Sequence, residues 1–239
     1  TKMKLKEKTK DQLVFAADMD ESIANAIRRY VSQIPVIAVD ELEISRNDSP
    51  LYDETIAHRV GLIPLKIGKA AEKGKLKLDV KREGTVYSGD MKGHPEPVYK
   101  NIPITTLSKG QELQFTASVR AGKGAEHAKF SPGLMFYRDS AEITMDKEFL
   151  EEVRKILPDT EIKERGNKIT ILDNKKKEVT DVCEGIVNKK KKKADVVSGK
   201  ELIIILESFG QMDAKNIFNE SVDALRKDLA SVEKAINKA

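Results

Sequence analysis

The chain has 239 residues, enough for one large domain or two to three small ones, and its net charge is only +4. That balance excludes an overall positive electrostatic potential strong enough to favour binding to DNA or to a membrane. Any attraction of an anionic partner must therefore come from a local group of basic residues. A single cysteine excludes an internal disulfide, and no apolar run of about 18 residues predicts a membrane span. We therefore expect a cytoplasmic protein.

The N-terminal segment predicts a strand over residues 12–17 and then an amphipathic helix. Acids within residues 18–21 supply a helix start, because a carboxylate can accept from the free backbone N–H groups of a first turn. Pro35 ends the helix. Arg28 and Arg29 lie on its polar side, where arginines most often face water but can also anchor a protein interface. The apolar stripe comprises Ile23, Ile27, Tyr30, Val31 and Ile34.

The stretch SPLYDETIAHRVGLIPL, residues 49–65, places acids, a histidine and an arginine close together. His58 could transfer protons, because histidine titrates near neutrality and carboxylates can orient it. The alternative is a short helix with its acids in the first turn and its basic side chains in the last, as the helix dipole favours. No serine or cysteine nucleophile accompanies the histidine, so we interpret the stretch as a shaped connector. Its motif residues are Asp53, Glu54, His58, Arg59, Gly61 and Pro64.

The central segment alternates apolar and polar residues in the way that half-exposed antiparallel strands do. The alternation covers residues 76–80 and 113–119, and residues 134–145 also predict a strand. Two long connections, residues 84–100 and 120–133, have the composition of loops. The segment therefore predicts a β-rich region.

Residues 146–194 change in character, because two helical stripes flank a hairpin centred on Gly166 and Asn167. Cys183 lies on an apolar helical face, where a core side chain is favoured over a reactive thiol. The three histidines lie far apart in the sequence and Cys183 has no companion, so no metal site is predicted.

Five consecutive lysines, Lys189 to Lys193, follow this region. They could bind the phosphates of a nucleic acid, but no aromatic residues interleave with them to stack on bases. We favour a solvated, flexible linker, because adjacent like charges repel and bury nothing.

The C-terminal segment predicts a strand over residues 201–207 and then a long helix. Apolar side chains on this helix alternate steps of four and three residues, the period of a helix packed along its length against another helix. The stripe could pack on the chain's own sheet or on a partner helix. The two chain ends look like halves of one layer that the intervening residues interrupt. The stripe comprises Phe218, Val222, Leu225, Leu229, Val232 and Ile236.

Four blocks of the sequence resemble a known family. NAIRRYVSQIPVIAVDELEI (residues 25–44) and NDSPLYDETIAHRVGLIPL (residues 47–65) are similar to the signature of the D subunit of archaeal DNA-directed RNA polymerase. HAKFSPGLMFYR (residues 127–138) and LIIILESFGQMDAKNIF (residues 202–218) resemble later blocks of that family in the same order. The family is the counterpart of the third-largest subunit of eukaryotic RNA polymerase II and of the N-terminal domain of the bacterial alpha subunit.

The resemblance implies an α+β fold in which a discontinuous dimerisation domain, residues 1–47 and 195–239, is interrupted by an inserted β-rich domain, residues 48–145. Residues 146–194 would form a small ferredoxin-like insertion that ends in the lysine-rich linker. Some relatives hold iron–sulfur clusters there through cysteine ligands, whereas only Cys183 is present here. We therefore expect no cluster and no other cofactor. The core of the insertion would comprise Phe149, Val153, Ile162, Ile171, Val182 and Ile186.

The resemblance also implies a non-catalytic assembly subunit of an archaeal DNA-directed RNA polymerase, a nucleotidyltransferase complex that carries out transcription. Such a subunit forms a heterodimer with subunit L, and the pair is a platform for the small subunits N and P and the large catalytic subunits. Arg28 and Arg29 would contact the second-largest catalytic subunit, and no sequence-specific contact with DNA is expected. The expected contacts with subunit L are Ile23, Ile27, Tyr30, Val31, Phe218, Val222, Leu225, Leu229 and Val232.

Overall fold

The structure of the chain, a computed structural model, describes residues 2–66 and 74–238. It is a mixed α/β structure with antiparallel sheets, consistent with the predicted α+β class. The α-helices are α1 (Glu21–Tyr30), α2 (Asp53–Gly61), α3 (Leu150–Ile156), α4 (Thr180–Asn188) and α5 (Ala214–Ile236). The strands are β1 (Met3–Lys8), β2 (Gln12–Ala17), β3 (Pro35–Asn47), β4 (Lys75–Val80), β5 (Gly84–Tyr87), β6 (Lys92–His94), β7 (Pro103–Leu107), β8 (Leu113–Lys123), β9 (Gly133–Asp146), β10 (Ile162–Arg165), β11 (Lys168–Asp173) and β12 (Asp195–Ser208).

The described residues form two compact units, one containing residues 2–25 and 135–206 and the other containing residues 26–66, 74–134 and 207–238. Most of a six-stranded sheet belongs to the first unit, with the order β1-β2-β12-β9-β11-β10. Strands from the beginning and the end of the chain, β2 and β12, are neighbours in this sheet. The five consecutive residues 202–206 are all buried, so both faces of β12 are covered, as its unbroken apolar run indicated.

The first unit also contains a separate apolar core between α3, α4 and the strands β9 and β11. Of the six residues expected to form it, Phe149, Val153, Ile171 and Ile186 are buried, and Ile162 and Val182 are partly buried against them. Cys183 is fully buried in the same core, so the interpretation of this cysteine as a core side chain is confirmed. Burial, followed by the nearby charge of Asp173, raises the pKa of the Cys183 thiol to about 11.

The second unit contains a four-stranded sheet, with the order β3-β8-β4-β6, and the two-stranded sheet β5-β7. The alternation predicted over residues 76–80 and 113–119 is confirmed in β4 and β8, where every second side chain of these ranges is buried. One apolar cluster joins these strands to α2, which contributes the fully buried Ile56 and Val60. The sheet therefore provides the surface on which the connector helix is fixed.

Two short strands lie where the sequence indicated only loop. β5 and β6 contain four and three residues and fall within residues 84–100. Their hydrogen-bond partners are β7 and β4, which lie elsewhere in the chain. Pairing partners at a distance, rather than local composition, thus produce these strands.

The core around α3 and α4 yields a prediction about stability. Ile171 is fully buried, whereas Ile156, on α3, is 42% exposed. Ile171→Ala should destabilise this part of the chain by about 2–5 kcal/mol, because it removes buried methyl groups and leaves a cavity. Hydrogen exchange of the amides of residues 143–187 measures the effect. Ile156→Ala is the control, and an equal acceleration by both variants would contradict the assigned core.

Candidate protein interface

Helix α5 carries two neighbouring stripes that face different surroundings. The stripe that packs on the chain itself, here called the body stripe, comprises Ala214, Ile217, Ser221, Ala224 and Asp228. Its first three members are fully buried. The second stripe, here called the ridge, is the predicted apolar one: Phe218, Val222, Leu225, Leu229, Val232 and Ile236. At 100° per residue the two stripes are separated by about a quarter of a turn.

The ridge becomes more exposed toward the C-terminus of α5. Phe218, Val222 and Leu225 are partly buried, whereas Leu229 is 60%, Val232 is 54% and Ile236 is 69% exposed. Single exposed aliphatic residues are common on protein surfaces, but a regular series on one helix face is typical of an interaction site. Of the two alternatives left open by the sequence, packing on the chain itself does not account for this part of the ridge.

Helix α1 begins as predicted, because the Asp20 carboxylate accepts from the Ser22 backbone N–H at 2.8 Å and from its hydroxyl at 2.6 Å. The hydrogen bonds with Ser22 hold the pKa of Asp20 below its usual range. The apolar residues of this segment then divide into two groups. Ile27 and Val31 are buried within the chain, whereas Ile23 is 51% exposed.

Tyr30, at the end of α1, connects to α5. Its hydroxyl donates a hydrogen bond of 2.9 Å to Asp228 Oδ2. This bond raises the pKa of Tyr30 above the ordinary tyrosine value. Arg28 and Arg29, the other expected contact residues of this helix, are exposed in its last turn. Positive charge is favoured at that end by the helix dipole.

The connector around α2 is held by a network centred on Asn47, a residue that the sequence motifs did not single out. The Asn47 amide donates to Asp53 Oδ1 at 2.7 Å and to the Leu51 carbonyl at 2.8 Å. Its side-chain oxygen accepts from the backbone N–H and the hydroxyl of Ser49. Asp53 therefore fixes the direction in which the chain enters α2. Asn47 stands at the end of β3, where a turn-forming amide is the available signal.

The two ends of α2 show how its polar residues are used. Acids occupy the first turn, Asp53 and Glu54, and basic residues the last, His58 and Arg59, as predicted from the helix dipole. Arg59 Nη2 donates to the Pro103 carbonyl at 2.7 Å, which ties the helix to β7. The helix ends at Gly61, and Pro64 accepts a backbone hydrogen bond from Val98.

His58 and His127, far apart in the sequence, line the same cavity of about 230 Å³. Asp40 and Lys129 are its charged residues, and none of the described lining residues is a serine, threonine or cysteine. The described lining therefore offers no hydroxyl or thiol nucleophile for His58 to activate. His127 Nδ1 accepts from the Lys129 backbone N–H at 3.1 Å, so this histidine caps a short turn.

A charged cluster next to that cavity was not predicted from the sequence. The carboxylate of Asp40 accepts from Arg120 Nε at 2.9 Å and from Lys129 Nζ at 3.1 Å, and Arg120 also pairs with Glu126. Both cations lie over the ring of the buried Phe130, at 4.6 and 5.0 Å from its centroid. Burial opposes ionisation of Asp40, but the hydrogen bonds from Lys129 and Arg120 prevail and lower its pKa.

The five-lysine run is more ordered than a solvated linker. Lys189 pairs with Glu152 at 2.6 Å, Lys190 pairs with Glu148 at 3.0 Å, and Lys192 contacts both Asp146 and Glu148 at 2.7 and 2.8 Å. A flexible linker was expected because adjacent lysines repel one another. The acids that offset this repulsion lie about 40 residues earlier in the sequence. Hydrogen bonds from Lys192 and Lys190 lower the pKa of Glu148. Three of the five lysines thus already pair with carboxylates of the chain, which makes them less available to bind phosphates.

Two further features of the described residues concern metal ligands and membrane-spanning helices. Within residues 2–66 and 74–238, no three His, Cys, Asp or Glu side chains are grouped so that they could ligate a metal ion. None of the helices in this described part combines the length and apolar character needed to cross a membrane. The surface feature that the described residues do offer is the ridge on α5, whose C-terminal half is exposed and apolar.

Comparison with known proteins identifies relatives of the chain. Residues 42–135, which include α2, strands β4 to β8 and the C-terminal part of β3, match the model of the RNA polymerase Rpb3/RpoA insert domain. A protein of Methanothermobacter thermautotrophicus is 30% identical over 93% of this chain and 94% of its own length. One of Methanocaldococcus jannaschii is 36% identical over 65% of this chain and 90% of its own length.

A third relative, from Thermococcus kodakarensis, is 41% identical over 61% of this chain. All three carry the name DNA-directed RNA polymerase subunit Rpo3. The chain spans about six-tenths of the length of the Thermococcus and Pyrococcus relatives that it matches, 62% of the former and 62% or 56% of the latter.

The cluster around Asp40 predicts a pH dependence. The pKa of Asp40 is lowered in the folded chain, so its contribution to stability is present above the unfolded-state pKa of about 3.9 and is lost as the pH falls through the folded-state value. Asp40→Asn should therefore lower stability by about 1 kcal/mol or less near pH 7, and the difference from wild type should disappear near pH 2. Urea unfolding across this range measures it. Glu41→Gln, on the same strand, is the control, and a deficit independent of pH would contradict the assignment.

Proposed function

Because this chain belongs to the archaeal Rpo3 family of DNA-directed RNA polymerase subunits, we propose that it is a non-catalytic assembly subunit of such a polymerase. It would be the counterpart of the third-largest eukaryotic subunit and of the N-terminal domain of the bacterial alpha subunit. One observation carries the proposal: an apolar ridge on α5 that its own chain leaves more than half exposed at three successive positions. A surface of this kind needs another polypeptide to remove it from water.

The partner on the ridge would be subunit L, forming a heterodimer. The period of the ridge suits packing of α5 along a second helix, with each apolar side chain entering a space between side chains of the partner. Tyr30 and Ile23 would extend the contact on α1. Ile27 and Val31 were expected to contact the partner as well. Because both are buried within the chain, they would instead pack beneath the exposed interface residues and support them.

The heterodimer would form the platform on which the small subunits N and P and the large catalytic subunits assemble. Arg28 and Arg29 are exposed and would contact the second-largest catalytic subunit through their charged ends. The connector residues Asp53 and Arg59 are used internally, by Asn47 and by the Pro103 carbonyl, which supports a role in shape rather than in chemistry. The place of action would be the cytoplasm, and no reaction is assigned to the chain itself.

The domain organisation expected from the sequence is retained as part of this proposal. A dimerisation domain from residues 1–47 and 195–239 is supported by the adjacency of β2 and β12, which come from the two ends of the chain. The inserted β-rich domain, residues 48–145, largely coincides with the matched insert-domain model. Residues 146–194 would be a ferredoxin-like insertion whose apolar core, with Cys183 inside it, takes the place of a metal cluster.

The ridge gives the main test of the proposal. Leu225→Asp combined with Leu229→Asp should weaken co-purification with subunit L by at least about a hundredfold, because an interface cannot bury two unpaired carboxylates cheaply. The measurement is the yield of a one-to-one complex after co-expression, with the dissociation constant by titration. The control is Lys227→Asp with Lys234→Asp, which changes the charge more but on the opposite face of α5. Equal complex formation by both double variants would contradict the proposal.

His58 gives a second test, which separates a connector from a catalytic site. His58→Ala should leave the rate of nucleotide addition by a fully assembled polymerase unchanged, and any effect should appear as a lower yield or stability of the assembled complex. Single-turnover extension of a primed template measures the chemical step, and size-exclusion chromatography measures assembly. A slower chemical step in a correctly assembled complex would show that the connector interpretation is wrong.

A further inference from the structure

The two stripes of α5 end at different places along the helix. The body stripe follows the chain's own surface through Ala214, Ile217 and Ser221, and its last member is Asp228. Every residue from Arg226 to Lys238 is exposed. The hydrogen bond from Tyr30 to Asp228 is thus the most C-terminal hydrogen bond by which α5 reaches another element in the described part of the chain.

The helix continues beyond this bond to Ile236 and carries half of the ridge with it, namely Leu229, Val232 and Ile236. At 1.5 Å per residue, the eight residues from 229 to 236 extend about 12 Å beyond the hydrogen bond at Asp228. A helix of that length has little stability of its own in water, because too few hydrogen bonds follow its costly nucleation. Its order and its rotation about the axis must come from the anchored part.

The position of the bond suits control of rotation. Asp228 lies on the body stripe and Leu229 on the ridge, one residue apart and therefore about 100° apart around the helix. Fixing Asp228 against Tyr30 fixes the direction in which Leu229 points. A carboxylate acceptor makes the bond stronger than one between neutral groups, and the raised pKa of Tyr30 agrees with a hydroxyl that donates to Asp228.

We propose that Tyr30 is a positioning residue, and that its hydrogen bond to Asp228 fixes the rotation and order of the C-terminal part of α5 so that the ridge is presented to a partner helix. The inference deepens the proposed function and rests on it for the identity of that partner. The effect of the hydrogen bond on α5, however, is a property of the chain without a partner. Tyr30 would therefore act through α5, in addition to any contact of its own with the partner.

The test uses the full chain without any partner. Tyr30→Phe and Asp228→Ala should each accelerate hydrogen exchange of the amides of residues 229–238 by about three- to tenfold, measured at labelling times from milliseconds to seconds. The double variant should be no faster than either single one, because both remove the same bond. Two controls are matched to the changes: Tyr52→Phe removes an exposed hydroxyl, and Asp223→Ala removes a carboxylate from the same helix. Unchanged exchange in Tyr30→Phe would overturn the proposal.

A second measurement connects the bond to docking. In complexes with subunit L, Tyr30→Phe should increase the dissociation rate by about three- to tenfold, while Tyr52→Phe should not. Faster exchange together with unchanged dissociation would overturn the positioning role. If the wild-type chain does not bind subunit L at all, the proposed function fails, and the exchange measurement still decides whether the bond orders α5.

Discussion

Helix α5 has more apolar surface than its own chain covers, because only one of its two stripes packs on the chain. The helix packs on the chain with one stripe and leaves much of a second exposed: apart from Ile217, the first contains small or polar residues, whereas the second contains only large apolar ones. Ala214 and Ser221 allow close approach, whereas Leu229 and Ile236 provide area. The stripe that stabilises the free chain and the stripe that stays largely exposed thus lie on different sides of one helix.

Ion pairs between distant segments contribute a second level of organisation. Lys190 and Lys192 meet acids at the start of α3, and Arg120 and Lys129 meet Asp40 over the ring of Phe130. Exposed pairs of this kind add little stability individually, but several sharing partners specify which segments meet. This use of charge accounts for a chain with 34% charged residues and a net charge of only +4.

The elements that could be predicted are those whose signal is local and periodic. β2 has the bounds expected for it, and the ridge of α5 was identified in full because alternation of three and four residues needs no knowledge of the partner. β1 and β6 were not predicted: every side chain of β1 is exposed, and β6 has only three residues and depends on pairing with β4. The Asp40 cluster was missed because its members are about 80 to 90 residues apart, and each alone is an ordinary surface charge.

The burial of Cys183 has a practical consequence for site-specific labelling of the chain. The chain's one thiol is enclosed in apolar side chains and remains protonated at neutral pH, so it reacts slowly with maleimides and with oxidants. A cysteine introduced on the surface would consequently be the preferred site of modification, without removal of the native residue. Distances from that position could then be followed by fluorescence or spin labels in an otherwise unaltered chain.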